Sequence, residues 1–147
     1  MPASATATSS TTAATPGKGL NIALWVVQVL LAVMFGMAGV MKTTKPIADL
    51  VAMNLKWAGG VPEALVRFIG ASELAGALGL LLPSLTRIMP WLTPLAALGL
   101  VVIMALAAPF HISRGEANVI GVNFVLGGLA AFVAWGRFRK APIAPRG

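Results

Sequence analysis

The residues best suited to chemistry are a few polar groups set in apolar sequence. Glu73 is the only acid in RFIGASELAGALGLLLP, residues 67–83. A carboxyl inside such a run can accept hydrogen bonds, carry a proton, or hold neighbouring helices together. Lys42 closes an uncharged run that holds the amide Gln28, and Asn123 places an amide inside another. His111, Arg114 and Glu116 cluster in PFHISRGE, residues 109–116. Imidazole changes charge near neutral pH and guanidinium offers a forked set of donors. Together they suit the rim of a site for a polar head group or a quinone-like ring. The simpler reading of the same cluster is a solvated turn in which Arg114 and Glu116 screen one another.

Composition restricts what else these residues can do. The 147-residue chain is 58% hydrophobic and only 10% charged, against roughly 25% charged in soluble domains. That is a membrane-protein composition. The absence of cysteine removes disulfides, thiolate metal sites and cysteine nucleophiles, and one histidine cannot make a bis-histidine haem or a His-rich metal cage. No metal is expected. The net charge of +7 reads as basic residues flanking apolar spans rather than as a nucleic-acid surface, because no basic stripe with interleaved aromatics occurs.

Residues 1–19, rich in Ala, Ser and Thr, lack the apolar surface needed to offset the entropy of ordering and are expected to be a disordered tail. They have neither the basic start nor the apolar core of a cleavable signal, so the first span is expected to direct insertion. Four spans follow, at about 20–41, 64–82, 90–110 and 117–135. Each is long enough at about 1.5 Å per residue to cross a hydrocarbon core of roughly 30 Å. Pro83 is expected to close the second span. Between the first two, TTKPIADLVAMNLKWAGGVP allows a short interfacial helix with Trp57 as its anchor. WGRFRK ends the fourth span as an aromatic and basic interfacial boundary, followed by a basic tail over 138–147.

The fold expected is therefore an all-α, integral membrane four-helix bundle. Four spans place both termini on one side. Lys18, Arg87, Arg137, Arg139, Lys140 and Arg146 fall on that side, and Lys42, Lys45, Lys56, Arg67 and Arg114 on the other. The bias of positive charge favours cytoplasmic termini.

Helical period tells where the polar groups point. At about 100° per residue, Val66, Ile69, Gly70, Gly76, Ala77 and Leu80 share the face of Glu73, a face rich in small residues of the kind that let helices approach in lipid. Glu73 is thus expected to face the bundle interior. Asn21, Gln28, Phe35 and Lys42 recur every seven residues with Ala32 and Gly39 on the same stripe, and Asn123 shares a face with Gly127, Ala130, Ala131 and Ala134. By depth, Glu73 falls near the midplane with Gln28 and Asn123 each about 5 Å to either side, close enough to share one interior site. The plainer role for those two amides is packing.

A charge at a helix centre costs about 2.5 to 3.5 kcal/mol. An enclosed Glu73 is accordingly expected to keep its proton unless a cation from another element reaches it. Lys42 lies at a membrane boundary and would need to point inward to do so. Arg67 is better placed to pair with Glu63, four residues earlier.

Taken together, MFGMAGVMK closing the first span, FIGASELAGALGLLLP as the second and HISRGE after the third resemble the DoxX-like family of small bacterial four-span membrane proteins. The resemblance runs from about residue 20 to 137. It departs at Thr43-Thr44, where the family pattern usually has a bulky apolar residue. It implies a bundle in the inner membrane and singles out Lys42, Glu73, His111, Arg114 and Glu116. Some relatives are linked to quinone-dependent sulfur oxidation or membrane redox complexes. The function so implied is an accessory subunit, not an enzyme on its own, that binds a small lipid-soluble ligand such as a quinone and supports a redox partner. A small proton-coupled transporter using Glu73, and a structural organiser of membrane partners or of its own copies, are the competing readings.

Overall fold

In hydrocarbon the backbone can satisfy its N–H and C=O groups only within the segment itself, so each long apolar run must become a helix. The computed structural model, which describes residues 17–147, has four such helices: α1 (Lys18–Thr44), α3 (Glu63–Thr86), α4 (Leu92–Ser113) and α5 (Ala117–Trp135). A short α2 (Ile47–Ala52) and a 3₁₀ turn (Lys56–Gly60) lie in the first connection, and a π turn (Gly136–Lys140) extends α5. Up to residue 16, the tail expected to be disordered lies outside the described residues.

The helix ends follow local chemistry. Lys45 precedes Pro46 and is extended, as a residue before proline must be, which stops α1. Pro83 does not end α3, contrary to expectation; the helix runs on to Thr86. Side chains hold the extra turn: Gln28 Nε2 donates to the Leu80 carbonyl at 2.8 Å, and the Ser84 and Thr93 hydroxyls are 2.7 Å apart. Neighbouring helices and hydroxyls of this kind make proline tolerable in membrane helices.

α1 packs on α3, α3 on α4, α4 on α5 and α5 back on α1, closing a ring. Leu31, Phe35, Leu80, Leu100 and Val133 fill its centre, while Ile22, Val26, Val33, Phe68, Leu106 and Phe124 face outward. Lipid is as apolar as these side chains, so close packing and internal polar bonds must hold the helices together. α1 and α3 cross with their backbones close together. A Cβ on Gly39 would come within 2.7 Å of the Gly70 carbonyl, and one on Gly70 within 2.6 Å of the Lys42 Cβ. At the terminal end the chain turns back, and Arg146 N–H donates to the Arg87 carbonyl at 2.9 Å.

Candidate functional site

The Gly39–Gly70 crossing decides what Glu73 meets. In this antiparallel pair Gly70 lies against Lys42 and Gly39 against Leu74, so Lys42 and Glu73 come from facing helices about one turn apart and their side chains meet across the crossing. Lys42 points inward, and its Nζ lies 2.7 Å from both Glu73 oxygens. Both residues are buried. The cation that reaches Glu73 therefore comes from α1.

Arg67 secures the arrangement from outside. It pairs with Glu63 at 2.7 Å, as its spacing predicts, and also donates through Nη1 to the carbonyls of Lys42 and Lys45, each at 2.7 Å. Those two bonds tie the end of α1 to α3, and so keep Lys42 in register with its partner.

Beyond Lys42 stands Trp57. Lys42 Nζ lies 5.7 Å from the Trp57 ring centre, in range of a cation–π contact. The far edge of Trp57 meets Phe110 and His111, with centroids 6.1 and 6.4 Å away. The ring expected to be an interfacial anchor thus bridges Lys42 and His111.

The end of α4 builds the second of these groups. Gly115 adopts φ +69°, a conformation that costs a residue with a Cβ about 1–2 kcal/mol. Glu116 N–H returns to the His111 carbonyl and Gly115 N–H to that of Ile112, both at 3.0 Å. This is a Schellman turn, and it folds Glu116 back beside the His111 ring. The buried His111 donates from Nδ1 to Glu116 Oε2 at 2.6 Å, and Arg114 Nε donates to Oε1 at 3.3 Å. The bond from His111 holds the Glu116 carboxyl below the usual carboxylate range, outweighing its partial burial, and Arg114 adds to the effect. An ionised carboxylate only accepts, so it fixes the proton on Nδ1 and leaves Nε2 available. Trp57 and Glu116, with Asn54, Lys56 and Asn118, line a cavity of about 220 Å³.

Five of the residues singled out from sequence, Lys42, Glu73, His111, Arg114 and Glu116, thus gather around Trp57 at the end opposite the termini. The two amides do not join them. Gln28 bonds to Leu80, Ser84 and Arg137 at the terminal end, and the Asn123 Nδ2 amide is buried with no hydrogen-bond partner. Ala131, placed from its spacing on the face of Asn123, turns outward.

A family model described as DoxX-like matches residues 26–133. The chain belongs to the DoxX-like family. With four apolar spans it is a multi-pass membrane protein. The matched segment holds the whole Lys42–Trp57–Glu116 cluster of this DoxX-like chain, but stops short of Arg137. No curated protein and no solved structure matches the chain.

Arg137 is what sequence reasoning missed. Its place in WGRFRK suggests a basic group at the interface, yet it is only 3% exposed. Nε donates to Gln28 Oε1 at 2.6 Å and Nη1 to Asn21 Oδ1 at 2.7 Å. A signal was available: Asn21 and Gln28 lie on one stripe, and two inward amide oxygens require a donor.

Proposed function

We propose that this DoxX-like protein binds a small lipid-soluble ligand with a polar ring, of which a quinone is the best fit, and supports a redox partner in the bacterial inner membrane. The termini would be cytoplasmic and the site would lie on the other side. The observation that carries this reading is the cavity between Trp57 and Glu116. Its volume of about 220 Å³ is below the 300–1,000 Å³ range of drug-sized pockets, which suits a ring rather than a bulky solute.

The donor set matches a carbonyl-bearing ring. Trp57 offers an aromatic face or edge to stack on. Lys56 can donate to a carbonyl, and the Glu116 carboxylate can accept from a hydroxyl. A quinone, when bound, would supply the electron-carrying couple. The chain's own part is to orient the head group and hold a proton acceptor beside it. Lys42 and Glu73 lie one ring further in, on Trp57, and set the electrostatic field of the site without opening it to lipid.

The test is titration of the full chain in lipid nanodiscs with a short-chain ubiquinone, read by tryptophan quenching. Saturable quenching that is lost in Trp57→Phe and weakened at least several-fold in Glu116→Gln is expected. Quenching that never saturates, or is the same in both variants, overturns the reading. The transport alternative draws on the buried Lys42–Glu73 pair. It requires pH-dependent flux in proteoliposomes that disappears in Glu73→Gln.

A further inference from the structure

Arg137 presents an electrostatic problem that the protein does not solve internally. The chain has four acidic side chains. Glu63 pairs with Arg67, Glu73 with Lys42, and Glu116 with His111 and Arg114; the fourth, Asp49, lies in α2 at the opposite end. None serves Arg137. Its three hydrogen bonds go to neutral oxygens of Gln28, Asn21 and Ala141. The ring of Trp25, centred 5.4 Å from the guanidinium carbon, covers one face. Nη2 is buried with no hydrogen-bond partner among the described residues.

The position is built rather than accidental. The π turn Gly136–Lys140, closed by Ala141 N–H on the Gly136 carbonyl at 2.7 Å, widens the end of α5 and carries Arg137 inward. Gly136 lies so close to the Leu24 side chain that a Cβ there would require Leu24 to shift. π turns of this kind recur at functional sites. Beside the guanidinium is a cavity of about 260 Å³, with Arg137 as its charged wall and Pro90, Trp91, Pro94, Phe138 and Ile143 among its apolar ones.

We infer that this cavity binds an anionic phospholipid, with the head-group phosphate seated on the free Nη2 edge of Arg137 and the apolar portion against the proline and aromatic walls. An arginine N–H donates to phosphate through a charge-assisted bond, about twice as strong as one between neutral groups. The surroundings favour lipid over a free anion. Trp91, Trp135 and Phe138 are exposed around this end, as interfacial aromatics are. Arg87, Arg139 and Lys140 are exposed there too and would draw the site toward an anionic membrane surface. Nη2 is itself screened from water, so seating the phosphate requires a rotamer change in the cavity wall.

Native mass spectrometry of the full chain, released from micelles containing equal phosphatidylglycerol and phosphatidylcholine, tests this. The wild type is expected to retain phosphatidylglycerol selectively. Arg137→Gln should lower that selectivity about tenfold or more, the factor one charge-assisted bond supplies. Arg139→Gln, at an exposed neighbour, should leave it unchanged. If Arg137→Gln does not fold, Ile143→Trp decides the matter, because it fills the cavity without touching the arginine's bonds and should abolish selectivity. Selectivity that survives Ile143→Trp, or that falls equally in Arg139→Gln, overturns the site. Inorganic phosphate added alone is expected not to raise the thermal midpoint; an Arg137-dependent rise would overturn the lipid as occupant in favour of a free anion.

Discussion

Lys42 and Arg137 are both cations enclosed by the same bundle, at opposite ends, and they are neutralised differently. Lys42 meets a carboxylate with both oxygens at 2.7 Å, and the neighbouring His111 and Arg114 share another. Arg137 meets amide and carbonyl oxygens only. A buried ion pair is self-contained: its attraction offsets the desolvation of both partners, and removing one partner strands the other. A cation held by dipoles keeps part of its field, which remains directed at whatever lies outside. The difference separates an end that stabilises itself from an end that attracts an anion.

The largest test of this contrast is Glu73→Ala. By stranding Lys42 it should cost about 3–5 kcal/mol in reversible unfolding of the detergent-solubilised protein. The double change Lys42→Met with Glu73→Leu should recover most of that loss. A double variant as unstable as the single one would show that the pair is not what stabilises this end. Gln28→Leu, which removes a dipole and not a charge, should cost less, about 1.5–3 kcal/mol. Equal losses from Glu73→Ala and Gln28→Leu would erase the distinction between the two ends.

Gly70→Ala sharpens the same comparison. It forces the new Cβ against Lys42, where 2.6 Å is available, and overpacking of that kind costs about 1–3 kcal/mol. Its effect should persist in the Lys42→Met, Glu73→Leu background, because methionine keeps the Cβ and backbone that the new methyl meets. Gly115→Ala is smaller, about 1–2 kcal/mol from the positive φ, and should be visible in the NMR signal of the His111 Nδ1 proton.

The smallest expected effect is on pH dependence. The folded Glu116 carboxyl sits below its ordinary value, so its contribution is complete above the unfolded value of about 4.3. It is lost as pH falls through the lower folded value. The thermal midpoint should therefore drop on acidification in that window, and Glu116→Gln should flatten the drop.

Much of this architecture could be read without coordinates. Helix number, the inward face of Glu73 and the Arg67–Glu63 pair follow from hydropathy and from the 3.6-residue period, which act within single segments. The gathering of Lys42, His111 and Glu116 around Trp57 could not, because it depends on which helices adjoin and at what offset. The Asn21–Gln28 stripe, plain in the sequence, calls for a donor but does not say that it stands more than a hundred residues away at Arg137.

Sequence by itself determined that the chain crosses a membrane four times and that one acid must be sheltered, because the cost of a charge in lipid depends on composition and period alone. Only the tertiary structure decided how the charges are matched. The Gly39–Gly70 contact sets the offset of α1 against α3, and the π turn sets the direction of Arg137, so a shift of one helical turn would separate Lys42 from Glu73 at the first place and Arg137 from its amide oxygens at the second.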